Sequence, residues 1–310
     1  MAGVRATTML NLSREYALRG RFYFDPRFNA RFAFPALKLG RRTLETAVSG
    51  GVGWHTKTPT MDQLYPAPLY YDFQQLNYYH ANPAFRRINM VTYVVDPTNY
   101  SLGAARNFKW EVRSDVTLDG NRFSLTYFEE DMKSGFRTAN RYASYTRKQY
   151  DYSGVDDSQL EGPPSLEGMP YTVDTLVRAA GVATNGSCTR KRGVEFTFSS
   201  QRIESLRTRL TVTGAWFRTE YGNSDPVYEN PGTVINGKPY VYTGIYASDG
   251  NYIREMWHTN FMVDTDIPRL GLGFSFTFQC RWHYRQYNGA KSSRPFAYFG
   301  PDGVVRDYTD

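Results

Sequence analysis

Residues 270–284 read LGLGFSFTFQCRWHY. The even positions are Leu270, Leu272, Phe274, Phe276, Phe278, Cys280, Trp282 and Tyr284, and the odd ones are Gly271, Gly273, Ser275, Thr277, Gln279, Arg281 and His283. Alternation of this kind gathers the apolar side chains on one face of a strand, whereas a helix would scatter them around its axis. The run is far longer than the roughly five or six residues usual in soluble sheets. Its apolar face, closing on Trp282 and Tyr284, has the character of a tilted membrane strand that ends in an interfacial aromatic girdle.

The residues before it obey the same rule. Ile253, Trp257, Phe261 and Val263 share one parity, and Arg254, His258, Asn260 and Asp264 the other. A tight turn at Asp266 and Ile267 pairs Val263 with Leu270, Phe261 with Leu272 and Trp257 with Phe276; a slip of one residue would reverse every face. A second hairpin is predicted at Asp119-Gly120, a dipeptide suited to two successive positive φ angles. Phe108, Trp110, Val112, Val116 and Leu118 lead in, and Phe123, Leu125 and Tyr127 lead out, with Val116 opposite Phe123 and Val112 opposite Tyr127. Two further hairpins are weaker. One runs from Val194, Phe196 and Phe198 through residues 199–204 into Leu206, Leu210, Val212 and Trp216. The other runs from Phe28, Ala30, Phe32 and Phe34 through residues 35–42 into Leu44, Val48, Val52 and Trp54.

With an opening strand near Ala2–Leu12, the pattern predicts about nine strands. Residues 56–105, 138–190 and 221–252 read as long loops, whereas the intervening turns are short. Short turns on one rim and long loops on the other are the habit of outer-membrane barrels. The expected fold is therefore all-β: one domain over residues 1–310, an incomplete antiparallel up-and-down transmembrane β-barrel wall with short periplasmic turns and long extracellular loops.

Composition agrees. The mean hydropathy of −0.56 and the lack of any long apolar run exclude a bundle of membrane helices but not a barrel, whose strands are polar at every second residue. An aromatic content of 16%, with 25 Tyr and 20 Phe, favours strands. The net charge of +7 is spread along the chain among acidic residues, without the stripe or motif of a nucleic-acid binder. Cys188 and Cys280 form neither a disulfide framework nor a zinc spacing. MAGVRATTML lacks the apolar core and cleavage site of a secretory signal. Since an outer-membrane protein is exported, the chain is expected to be a mature piece or to begin downstream of the true start.

No residue set stands out as catalytic, and no enzyme is predicted. His55, His80, His258 and His283 share no metal-binding spacing, and His258 and His283 fall on the polar parity of their strands. Asp115, Glu111 and Glu195 also lie on polar parity, where lumen-facing charges form networks as a matter of course. Neither a nucleophile elbow nor a phosphate-binding loop occurs, and no cofactor is expected. Residues 64–100 are rich in aromatics. Tyr70, Tyr71, Tyr78 and Tyr79 are the candidate ligand contacts, against the alternative that they serve a small core of the loop itself.

The segment Gly51-Val-Gly-Trp-His-Thr-Lys-Thr-Pro-Thr60, followed by Leu64-Tyr-Pro66, resembles the barrel of a TonB-dependent outer-membrane receptor of the Bacteroidetes type. Asn107-Phe-Lys-Trp-Glu111 and the stretch from Tyr127 to Phe136 are similar to the strands that follow in that family. The resemblance implies a barrel of about 22 strands around a plug, located in the bacterial outer membrane and energised through TonB. It also implies import of a large nutrient such as a glycan, peptide or siderophore, in some members with a surface lipoprotein as partner. The plug, the TonB-contacting segment and the closing aromatic strand of the family have no counterpart here, and residues 303–308 read as a loop. The implied object is a slice of the wall, not expected to conduct alone. A passive porin or adhesin-like barrel, and a soluble all-β binding module, are the alternative readings.

Overall fold

The computed structural model describes residues 1–247, 251–289 and 292–309. Its strands in chain order are β1 Ala2–Thr7, β2 Tyr23–Ala33, β3 Leu37–Leu39, β4 Arg42–Lys57, β5 Leu69–Tyr78, β6 Arg87–Val95, β7 Ala105–Leu118, β8 Asn121–Tyr150 and β9 Tyr171–Ser199. They continue as β10 Thr208–Asn223, β11 Val227–Glu229, β12 Val234–Ile235, β13 Lys238–Pro239, β14 Thr243–Tyr246, β15 Tyr252–Ile267, β16 Leu272–Asn288, β17 Ala297–Phe299 and β18 Val305–Asp307. One antiparallel sheet runs β1-β2-β4-β7-β8-β9-β10-β15-β16, and β3 beside β4 makes ten strands. Among the described residues the sheet does not close, since β1 and β16 stand at its two edges.

The turns on one rim are short because the sequence supplies left-handed residues there. Asp119 (φ 48°) and Gly120 (φ 79°) join β7 to β8, with Val116 opposite Phe123 and Val112 opposite Tyr127 as predicted. The expected turn at Asp266-Ile267 is corrected. β15 continues through Ile267, and the reversal is the 3-10 turn Pro268–Leu270 closed by Gly271 at φ 63°. Val263 therefore meets Phe276, six residues beyond the expected Leu270, and Phe261 meets Phe278. Glycine takes a positive φ without strain, which β-branched Ile267 cannot do. An even shift preserves parity, so the faces survive the error. Leu206, expected in a strand, lies in the turn before β10, and β1 stops at Thr7.

A bulge interrupts the alternation of β16. His258 faces Arg281 but Trp257 faces His283, leaving Trp282 as an extra residue. Trp282 keeps to the apolar face: its indole N–H donates to Thr259 Oγ1 at 3.1 Å, and its ring lies 6.1 Å from that of Trp257. Beyond it the parity reverses. His283 approaches Glu255 at 3.9 Å, on the side of Trp257, and Arg285 pairs with Glu255. Tyr284 turns to the opposite side, where it donates to Gln286 at 3.1 Å and lies 5.3 Å from the Arg281 guanidinium. The apolar face thus ends at Trp282 rather than Tyr284, and His283 leaves the polar parity assigned to it.

That face carries an apolar band, ten residue steps high on four of the strands and shorter on β8, β9 and β10. Its limits are Leu44 and Trp54 on β4, Leu118 and Phe108 on β7, Ile267 and Trp257 on β15, and Leu272 and Trp282 on β16, ten residue steps each. Ten steps cover about 33 Å along a strand, which a 45° tilt would project to about 23 Å. All five tryptophans, Trp54, Trp110, Trp216, Trp257 and Trp282, stand on this face toward its upper end. Nothing described packs over it: Phe32 is 62% exposed, Phe274 57% and Phe276 67%. The reverse face is polar.

On the other rim the strands overrun the band. Residues 138–190, expected as loop, are mostly an extension of the β8–β9 hairpin, which stays paired to Tyr150 and Tyr171. Residues 56–105 fold into a short helix, Met61–Leu64, and the β5–β6 hairpin. Residues 303–308, expected as loop, contain β18. The tightest core also lies here: Leu12, Tyr16, Leu18, Tyr23, Leu64, Leu102 and Ala104 close around one another, against Phe136 and Ala183. Asp25, wholly buried, ties β2 to β4 by accepting from Thr56 N at 2.9 Å and Thr56 Oγ1 at 2.6 Å, with Arg106 of β7 at 4.0 Å.

Candidate functional site

Two surfaces have the concavity and chemistry of binding sites, and a third carries the residues singled out from sequence. The first lies on the polar face of the ten-stranded sheet. Arg27, Gly53, Lys109, Glu130 and Lys191 form one row across β2, β4, β7, β8 and β9. Glu130 collects Lys109 at 3.8 Å, Lys191 at 3.9 Å and Asn107 at 3.5 Å, while Lys109 also meets Glu111 at 3.1 Å. A cleft of about 430 Å³ opens over Gly51 and Gly53. A Cβ on Gly51 would come within 2.5 Å of Asn29 Oδ1, and one on Gly53 within 2.9 Å of Arg27 Cγ, so the glycines let these polar side chains lie flat across the strand. Glu111 and Asp115 belong to this face as predicted, Asp115 paired with Arg113 at 2.8 Å.

The second lies above the band, on the sheet β11-β14-β17-β18. Thr243, Ile245, Ala297 and Phe299 are buried beneath it, so alternation turns Tyr242, Gly244 and Tyr298 to the other side. There Tyr240, Tyr242, Tyr246, Tyr298 and Tyr308 line a cavity of about 490 Å³ with Pro231 and Pro295. The Tyr242 ring lies 5.4 Å from that of Tyr240 and 5.8 Å from that of Tyr298. Arg306 is beside them, its Nη1 3.0 Å from Asp302 Oδ1; this pairing holds the Asp302 carboxyl down at about 2. Aromatic faces with phenol groups at their edges grip ligands that are apolar on one side and hydroxylated or amidic at the rim. Sequence reasoning missed this site because its lining comes from residues 229–246 and 295–308, on strands too short to show a period.

The predicted tyrosines divide into two pairs. Tyr71 donates to the Ala179 carbonyl at 2.9 Å and sits 5.5 Å from the Tyr145 ring; Phe73 and Tyr93 join it in pressing the β5–β6 hairpin onto β8. Tyr78 is buried, and its hydroxyl donates to Asp157, which pushes the phenol up to about 12. Tyr70 and Tyr79 are exposed, with Arg86 stacked 4.4 Å from the Tyr79 ring. The structure therefore does not bring the four to one point. Of the histidines, His80 bonds within its own turn and His258 packs edge-on to Phe217 at 5.9 Å. Among the described residues no three His, Cys, Asp or Glu side chains gather as a metal site.

No protein-family model, curated protein or solved structure matches this chain.

Proposed function

We propose that the ten-stranded sheet is a segment of the wall of an outer-membrane β-barrel, of the TonB-dependent transporter kind, which imports a large nutrient captured at its extracellular face and catalyses no reaction. The observation that carries this reading is the apolar band: ten residue steps high on four strands, crowned by all five tryptophans, uncovered, and backed by a charged face. A soluble sheet would hide such a face beneath a second layer, and an exposed apolar patch of this extent marks an interaction surface. Lipid is the partner that fits an uncovered band of equal height on four strands.

The edges support the same reading. Unpaired N–H and C=O groups of β1 and β16 each cost several kcal/mol in hydrocarbon, so in a bilayer further strands must cover them. The loop rim, with its tyrosine-lined cavity and the exposed Tyr70 and Tyr79, faces outward in this arrangement, and the charged cleft faces the lumen. Reconstitution of the full-length protein into vesicles of brominated phosphatidylcholine tests the proposal. The tryptophans on the apolar face should be strongly quenched; fluorescence unchanged from that in ordinary phosphatidylcholine would reject the membrane wall.

A further inference from the structure

The tyrosine-lined cavity above the band has a charge pattern of its own. Beside its tyrosines and prolines the described lining holds one acidic side chain, Glu229, and no lysine, arginine or histidine. The rings of Tyr240 and Tyr242 are inclined to each other at 49°, and those of Tyr242 and Tyr298 at 64°, so neither pair is stacked face on face. Tyr240, Tyr242 and Tyr308 are exposed. A tyrosine ring carries negative potential over its face, and here several such faces are left to one hollow.

Elsewhere in the molecule accessible tyrosines carry a cation of their own. Lys148 lies 4.3 Å from the centre of the Tyr171 ring, Arg86 4.4 Å from that of Tyr79 and Arg285 5.6 Å from that of Tyr287. Among the described residues no lysine or arginine lies over Tyr240, Tyr242, Tyr298 or Tyr308. Arg306 stands opposite Tyr298 on β18, but Asp302 accepts from both of its terminal nitrogens, from Nη1 at 3.0 Å. That charge is engaged within its own turn, and the ring faces of the cavity have no internal cation to cover them.

We infer that this cavity is a cage for an alkylammonium group of the captured nutrient, the cation held against the faces of Tyr240, Tyr242 and Tyr298 and the rest of the ligand reaching the phenol hydroxyls at the rim. The inference deepens the import reading and rests on it for the ligand being a nutrient. A cation is attracted to a tyrosine face from within about 6 Å of the ring centre, and ring separations of 5.4 and 5.8 Å let one ammonium group reach more than one face. A carboxylate or phosphate would meet the same negative faces with no lining cation to balance it. At an exposed site each ring contributes about two- to fivefold in affinity.

The test titrates the full-length protein in a polyoxyethylene detergent by saturation-transfer NMR. The probes are choline and Nα-acetyl-lysine amide, and the controls are their uncharged counterparts, dimethylbutanol and the Nε-acetylated lysine amide. Binding of choline without dimethylbutanol supports the cage and makes its ligand a small quaternary ammonium compound; binding of the lysine amide without its acetylated form supports it and makes the ligand a peptide side chain. Tyr242→Ala should weaken the bound cation about two- to fivefold, whereas Tyr242→Phe, which keeps the ring and loses the hydroxyl, should retain it. Failure of both cations to bind, equal binding of charged and uncharged probes, or a loss in Tyr242→Phe as large as in Tyr242→Ala overturns the inference. Quenching of the tryptophans by brominated lipid, measured on the same protein in vesicles, separates the two readings. Quenching without cation binding rejects the cage alone, and cation binding without quenching rejects the membrane wall and leaves the cage standing.

Discussion

Replacing Phe276 by arginine places a charge near the middle of the band. Phe276 lies four residue steps above Leu272 and six below Trp282, so at about 3.3 Å per step and 45° of tilt its Cα is about 9 Å from the lower limit and about 14 Å from the upper. Neither margin can be reached without dragging charge or water through hydrocarbon, and the expected penalty is about 2–4 kcal/mol. Leu272→Arg, at the lower limit, should cost about 0–1 kcal/mol, because the guanidinium snorkels to the interface. Thr277→Arg points to the polar face opposite Met262 and should fall in the same low range. Urea titrations of the protein folded in lipid vesicles, read by tryptophan emission, measure all three. Equal costs at Phe276 and Thr277 would refute the two-faced assignment, and equal costs at Phe276 and Leu272 would refute the depth.

Asp25→Ala should destabilise the folded protein by about 1–3 kcal/mol, since Thr56 loses a buried acceptor for both its N–H and its hydroxyl; denaturant titration reads it, and Asp25→Asn should recover part. The Tyr78 phenol is raised from 10.0 to about 12, so the folded state holds its proton longer than the unfolded chain. Its contribution is complete below pH 10 and is lost as pH rises toward 12, which an alkaline unfolding series comparing the native protein with Tyr78→Phe will register. Tyr242→Ala and Tyr298→Ala should lower nutrient binding in a surface-binding assay while leaving folding in vesicles intact; normal binding in both would remove the cavity from the site. Tyr70→Ala and Tyr79→Ala should lower uptake without altering stability, and unchanged uptake in both would leave the β5–β6 hairpin a purely structural element.

Much of the ten-stranded sheet was legible in the sequence because parity survives errors of even size. The β15–β16 register was misplaced by six residues, yet every apolar residue up to Trp282 stayed on its face. Asp119-Gly120 was fixed by local chemistry, and its register was right. What failed lacked a local signal. The β8–β9 extension reads as loop because Tyr142, Tyr145 and Tyr150 share no single parity and stand among polar residues, so the stretch shows no period of two. The tyrosine-lined cavity depends on residues about sixty positions apart meeting across β14 and β17, which no window of sequence contains. The split among the four predicted tyrosines does not follow from alternation, because a bulge at Gln75 reverses parity within β5 and lets Tyr71 and Tyr78 both pack; their partners Tyr145 and Asp157 lie far along the chain.

The bulge at Trp282 joins these threads. Had alternation continued, Tyr284 would have extended the apolar face by two residues, and Arg281, His283 and Arg285 would all have turned to the polar side. One inserted residue instead brings His283 out opposite Trp257 and Arg285 out opposite Glu255, in the row of Arg218, and sends Tyr284 to the polar face beside Arg281. The change from apolar to charged thus occurs at the same row on β15 and β16, although the sequence of β16 taken alone places it later. Bulges re-aim side chains at a fixed point of a strand, and here the point is the upper limit of the band. Deleting Trp282 should remove the bulge and leave His283 opposite Trp257, Tyr284 opposite Met256 and Arg285 opposite Glu255, so it serves as a test of this reading. The deletion variant should therefore lose only the Trp282 indole from the band and keep its faces, so that it still folds in lipid vesicles by urea titration read on the remaining tryptophans, whereas failure to fold would refute a bulge that merely inserts one residue.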